Sequence, residues 1–483
     1  MPPTTTFPPG DARANSLLAQ QWLGLALGVL VIAGLFALAV VVGRTPPFDR
    51  FVTDPLFFKR CLVAHVNLAL VVWFYAFMAA LLFLLPSTRR PSLAARVSAG
   101  IAASGVLLML GGAVQLTGRP LLSNYIPTLE NALFQLGQGV FAVGVLFAVL
   151  DPRLLSVATT REGPVALPAA TRAGLRAVAI SILIAAATLG ITFVSRSSNV
   201  PIEVRSEFLM WGVGHVLQLV STVAMVTMWL FLLEPVLGAP PVSPPAANAL
   251  FAALVAPWSM ALVFALQGTG SAAYRHGFTF LMQACLFPVV SIFLFLCVRS
   301  VARAVRSGAA GRGLLTEPRV TAFLVSAALT VLGFVLGALI RGSNTMVPSH
   351  YHAAVGGVTV AFMAATLVIL PAFRMPIPSG WMTRAAPWQS ALYGLGMLVF
   401  AAGFAIAGAH GMGRKLYGAE QASRGVAATL GLGLMGVGGL VAMAGGLLFL
   451  VLVAASWWGS RHRVGRESSP LTRSSWRLPH EAK

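Results

Sequence analysis

The chain has 483 residues, 57% of them hydrophobic and only 10% charged, and it carries a formal net charge of +20. So little charge over this length excludes an ordinary soluble globular protein. The excess of Lys and Arg suggests nucleic acid at first sight, but these residues fall between long apolar runs, where they act as topology signals and meet anionic lipid, so no nucleic-acid partner is expected.

Met1–Ser16 is polar and Pro-rich, and the apolar run after it is too long for a signal peptide, so we read it as an uncleaved span. Twelve runs of about 20 residues follow, each long enough to cross roughly 30 Å of hydrocarbon. Spans 1 to 4 are expected at Leu17–Val42, Cys61–Leu85, Val97–Thr117 and Ala132–Leu150. Spans 5 to 8 are expected at Leu175–Val194, Phe208–Leu233, Ala249–Gln267 and Phe278–Val298. Spans 9 to 12 are expected at Val320–Ile340, Tyr351–Leu370, Gln389–Ala409 and Ala427–Ala455.

Segments of this length suit only a helical bundle, because backbone polar groups must be satisfied internally. The fold expected is therefore an all-α integral membrane protein of about 12 transmembrane helices: a tail over residues 1–16, a membrane domain over 17–456 and a basic tail over 457–483. Gly238–Pro245 forms a stiff linker between spans 6 and 7. Of the 33 Lys and Arg, 21 lie on the N-terminus, the even-numbered loops with their flanks and the C-terminus, and 12 on the odd-numbered loops. The densest group on the richer side is Arg299, Arg303, Arg306, Arg312 and Arg319. Both termini are thus expected in the cytoplasm, and the chain in a bacterial-type inner membrane with multiple passes.

On this topology even-numbered spans start at the outer face. His65 then lies early in span 2, His215 in span 6, and His350 and His352 at the start of span 10. His276 precedes span 8 and His410 ends span 11, so six of the eight histidines gather at one side. Histidine within a membrane is costly unless it faces a cavity, a partner or a ligand. Imidazole is a common ligand of heme iron and copper. Two residues apart on a helix is about 200° of rotation, so His350 and His352 point to opposite flanks and one helix can serve two centres. Trp73, Phe74, Tyr75, Phe77, Trp211 and Tyr351 are aromatic neighbours in sequence, and Gly212, Gly214, Gly356 and Gly357 are expected to let a macrocycle approach the backbone.

At these residues the chain resembles subunit I of the heme-copper oxidase superfamily, which includes cytochrome c oxidases and nitric oxide reductases. The likeness covers nearly the whole chain: twelve spans, a histidine in span 2, one in span 6 and His-x-His opening span 10. Asn344-Thr345 with Ser349-His350-Tyr351-His352-Ala353 and Gly356 is similar to the nitric oxide reductase form, and Gly413-Arg414-Lys415 resembles the family's basic pair. The resemblance implies that His65 and His352 hold a low-spin heme and that His350 holds a second heme, with type b favoured. It implies that Arg414 and Lys415 pair with heme propionates, and that His215 is a residual ligand of copper or non-heme iron.

The chain departs from that family where the second metal should sit. Span 7 has no histidine, and the nearest, His276, lies beyond its end. One imidazole is a poor copper site. The position four residues after His215 is Leu219, not tyrosine, and no glutamate occupies that turn. No Asp, Glu or Lys sits mid-membrane as a proton relay. Three readings stay open: an electron-transfer subunit of respiration with a degenerate copper site, a fully active oxidase or NO reductase with non-standard metal ligands, or a cofactor-free transporter or assembly subunit. No CxxCH occurs, so electrons are expected from a periplasmic c-type cytochrome, a copper protein or quinol, with other membrane subunits present. Glu130, Glu203, Glu207 and Glu420 are acidic candidates for meeting a basic donor on the outer side.

Overall fold

The computed structural model describes residues 10–51, 54–87, 89–115, 118–155, 165–196, 199–308, 313–421 and 424–467. Most of the two tails, Thr117 and Arg312 lie outside the described residues.

Among the described residues, twelve helices are long and apolar enough to cross a membrane. Spans 1 to 4 are Ala14–Val42, Pro55–Leu82, Leu93–Val114 and Ala132–Val149. Spans 5 to 8 are Ala169–Ser195, Ile202–Leu237, Pro244–Leu266 and Ala272–Ser307. Spans 9 to 12 are Pro318–Ala338, Met346–Phe373, Trp381–Ala409 and Val426–Ser460.

Several helices begin earlier than the apolar run alone predicts, because polar caps extend them. Asp54 accepts from Leu56 N with Pro55 at the first position, so span 2 starts before Cys61. Ser271 accepts from Tyr274 N and starts span 8 before Phe278. His276 therefore lies within span 8, where it is exposed, and not ahead of it.

The helices that carry His65, His215, His350 and His352 form the centre. In the 18-residue apolar stretch of each helix, 67% of the residues in span 2 and 78% in spans 6 and 10 are buried inside the bundle, against 17–50% in the other nine. Buried Trp229 Nε1 donates to Ser326 Oγ, which donates to Gly357 O, joining spans 6, 9 and 10. Trp73, Phe74 and Phe77 pack on Phe362 of span 10. The aromatics after His65 are thus packing in the middle of the bundle.

Two antiparallel pairs meet backbone to backbone along glycines seven residues apart. A Cβ at Gly105 or Gly112 would lie within 2.4–2.6 Å of a span 4 backbone nitrogen. One at Gly403 would lie 2.2 Å from Met435 N, and one at Gly438 2.2 Å from Phe400 N, which locks span 11 to span 12.

Just past His65, residues Asn67–Val72 form a π-helical stretch. Asn67 Nδ2 donates to Val63 O and to Pro127 O, and Gln138 Nε2 donates to Asn67 Oδ1. This network anchors the segment between spans 3 and 4, which includes a ribbon pairing Pro120 with Leu129 and Leu121 with Thr128.

Candidate functional site

The loops after spans 1, 3 and 11 converge at one end of the bundle. Arg44 donates to Gly413 O at 2.7 Å and to Arg414 O at 2.9 Å. Lys59 pairs with Glu420 at 2.7 Å, and Arg414 donates to Asn124 Oδ1 at 2.6 Å. Thr345 N donates to Met412 O at 2.8 Å and Ser349 Oγ to Ala401 O at 2.6 Å, fixing the start of span 10 against span 11 and the basic loop.

All four candidate histidines lie at this end with Nδ1 engaged by a backbone carbonyl. His65 Nδ1 is 3.1 Å from Ala33 O of span 1, and His352 Nδ1 is 2.7 Å from Pro348 O. His350 Nδ1 is 2.7 Å from Gly333 O of span 9, and His215 Nδ1 is 2.7 Å from Trp211 O. An imidazole that donates from Nδ1 presents Nε2 as a lone pair, the arrangement metal-ligating histidines use.

For three of them that lone pair has no hydrogen-bond partner among the described residues. His65 and His352 are half-buried and lie within electrostatic range of one another. The His352 ring packs against Tyr351, Phe400 and Phe404, with centroids 4.6, 4.7 and 5.7 Å away. His350 faces the opposite flank, where Gly337 of span 9 gives it room: a Cβ there would lie 2.8 Å from His350 Nδ1.

His215 differs. It is only 4% exposed, and its Nε2 is 3.0 Å from Tyr125 Oη. Trp211 and Phe278 close the other sides, at centroid distances of 4.6 and 5.8 Å. No group of three His, Cys, Asp or Glu side chains suited to a metal ion forms among the described residues.

The four glycines expected to admit a macrocycle meet protein instead. A Cβ at Gly214 would strike the Tyr125 ring at 2.3 Å, and one at Gly212 would lie 2.8 Å from both Tyr274 Oη and Phe278. Gly356 faces Leu329 and Met397, and Gly357 faces Thr330 and Ser326.

Sequence reading missed Arg44, which had counted only as loop charge. Its guanidinium stacks over Tyr417 at 4.8 Å and Phe404 at 5.2 Å, and it is within electrostatic range of Tyr351 and His352. Both Arg44 Nε and Arg414 Nε are buried without a hydrogen-bond partner among the described residues. Buried donors left open are costly and call for an acceptor. Two such cations beside two open imidazoles fit a flat iron ligand carrying carboxylates.

Lys415 contributes less freely, since its Nζ donates to Leu122 O. Burial and the neighbouring Arg414 charge hold its pKa below the ordinary lysine value, against an opposing effect of Glu207. Tyr125, in the loop, has its phenol raised by burial and by the Glu207 carboxylate, with Arg414 opposing, so it stays a hydroxyl donor at neutral pH.

The acidic candidates are engaged internally. Glu130 and Glu203 both pair with Arg119, Glu207 accepts from Asn124 N at 2.7 Å, and Glu420 pairs with Lys59.

The comparisons with known proteins follow the same architecture. The family model for cytochrome c and quinol oxidase polypeptide I matches residues 18–442. An uncharacterized protein of Aquifex aeolicus (strain VF5) is 26% identical over 380 residues, covering 77% of this chain and 89% of its own length. An uncharacterized protein of Rickettsia prowazekii (strain Madrid E) is 24% identical, covering 91% and 95%. Among solved structures, a heme-copper terminal oxidase dimer superposes with a TM-score of 0.72 at 16% identity, over 92% of this chain and 84% of that one.

Proposed function

Since the chain belongs to the cytochrome c and quinol oxidase polypeptide I family, a family of respiratory membrane subunits, we propose that it is a heme-binding electron-transfer subunit whose second metal position is degenerate. A low-spin heme, of b type, is held between His65 and His352, with Arg44 and Arg414 facing its carboxylates and Lys415 at the edge. His350 serves a second heme on the other flank of span 10. Heme iron supplies a one-electron carrier. The protein's share is to set ligand tautomers through the Ala33, Pro348 and Gly333 carbonyls, to exclude water with Phe400 and Phe404, and to place positive charge nearby.

What carries the reading is that the imidazoles of spans 2 and 10 lie within electrostatic reach of each other, with unpartnered Nε2 atoms beside two buried, unpartnered arginine nitrogens. Electrons arrive from a separate donor, a c-type cytochrome, a copper protein or quinol, in assembly with other membrane subunits. Both termini lie in the cytoplasm of a bacterial-type cell, and the histidine end faces outward from the inner membrane.

The test is a reduced-minus-oxidised spectrum with iron and copper content on the purified protein and on His65→Ala and His352→Ala. Iron with a sharp α-band lost in both variants is expected, because each removes one of the two imidazoles that would hold the iron. A colourless wild type would overturn the reading in favour of a cofactor-free role. An α-band unchanged in both variants would overturn the ligand assignment.

A further inference from the structure

The segment between spans 3 and 4 does more than connect them. Tyr125 sits on it with φ 69°, a left-handed conformation that a side-chain-bearing residue adopts at a cost and that its surroundings must enforce. Those surroundings are specific. Asn124 N donates to Glu207 at 2.7 Å on one side of Tyr125, and Ser123 Oγ donates to Ile126 O at 2.7 Å across it. The Tyr125 ring occupies the space left by the missing side chain of Gly214 and meets Trp211 edge-on at 6.2 Å. Its hydroxyl then reaches His215 Nε2 at 3.0 Å, while His215 Nδ1 is committed to Trp211 O. With Nδ1–H donating, Nε2 can only accept, so Tyr125 is the donor.

We propose that Tyr125 is a built-in occupant of the metal-facing nitrogen of His215, and that the pair is a latch fastening the loop over residues 118–131 to span 6. The inference rests on the reading that the second metal position is degenerate, and it accounts for a buried histidine that joins no group of three metal-ligating side chains among the described residues. The latch also reaches the proposed heme side. The same loop accepts from Arg414 through Asn124 and from Lys415 through Leu122 O. Tyr125 is therefore a positioning residue for the cationic loop and does not itself touch the reacting centre.

The test uses full-length protein in detergent, labelled with ¹⁵N-histidine, with His215→Asn to assign the His215 signals. Tyr125→Phe removes only the hydroxyl and keeps the ring over Gly214. Gly214→Ala keeps the hydroxyl but displaces the ring. Both variants are expected to move the His215 Nε2 resonance toward that of an unbonded imidazole nitrogen, and a copper or iron chelator is expected to leave the wild-type resonance in place. The proposal is overturned if Tyr125→Phe leaves that resonance unmoved, or if the chelator shifts it in the wild type, which would mark a resident metal. Because the α-band reports on His65 and His352 and the resonance on His215, failure of the heme reading and failure of the latch are separately visible.

Discussion

Replacing Arg44 by leucine tests whether the convergence of loops at the histidine end depends on one cation. Arg44 is 2% exposed and donates to two carbonyls of the loop that carries Arg414. Each charge-assisted hydrogen bond contributes about 1.5–3 kcal/mol. The faces of Tyr417 and Phe404 add about 2 kcal/mol each when desolvated. Against that gross gain stands the several kcal/mol it costs to bury a guanidinium. Arg44→Leu recovers that desolvation but leaves the Gly413 and Arg414 carbonyls without their donor, so the net loss should be about 3–5 kcal/mol. Arg44→Lys keeps the charge but lacks the planar fork, and should lose about half as much. Reversible unfolding in mixed micelles measures this, with heme retention followed on the same samples. A leucine variant within about 1 kcal/mol of wild type, retaining its cofactor, would refute the argument that Arg44 organises this end of the bundle.

Gly438→Ala places a methyl 2.2 Å from Phe400 N and should cost about 1–3 kcal/mol while shifting the α-band, since Phe400 lies against His352. Gly433→Ala, where a Cβ meets nothing within 4 Å, is the control and should be neutral or slightly stabilising by the same unfolding assay. His350→Ala should abolish carbon monoxide binding and leave the low-spin α-band; loss of both bands would contradict the two-flank arrangement of span 10. Burial raises the Glu420 carboxyl, but the Lys59 hydrogen bond, the Tyr417 N–H and the Lys59 charge outweigh it and hold its pKa below the ordinary value. A carboxyl depressed on folding stabilises above its unfolded pKa and loses that contribution as pH falls through its folded pKa. Glu420→Gln should thus cost less than about 1 kcal/mol at pH 7, a difference that fades as pH falls through the depressed pKa of Glu420 in a pH series of the unfolding midpoint.

The twelve spans are legible in sequence because hydropathy over 20 residues is a strong, local signal. Their starts are less so: Asp54, Pro55 and Ser271 extend helices through polar capping that hydropathy does not register. The four histidines were legible as intramembrane polar groups, and the spacing of His350 and His352 anticipates their separate neighbours on spans 9 and 11. The long-range partners were not. Tyr125 and His215 are 90 positions apart and Arg44 is 370 from Arg414, so no local pattern links them. For the same reason Gly214 read as room for a macrocycle, whereas it makes room for a tyrosine. Nor does any local pattern pair Glu420 with Lys59 of span 2 or Glu203 with Arg119, which are far apart in the chain.

The convergence of the first, third and eleventh connections has a consequence for biogenesis. Neighbouring crossings such as the third and fourth can pair as soon as both leave the ribosome, since all they need is each other. On the proposed assignment His65 meets His352 only once the tenth crossing is made, and Arg44 lacks the carbonyls of Gly413 and Arg414 until the stretch before the final crossing has been synthesised. Any prosthetic group gripped there must enter an almost finished polypeptide, and a chain truncated before residue 413 would reach the bilayer without the means to retain it.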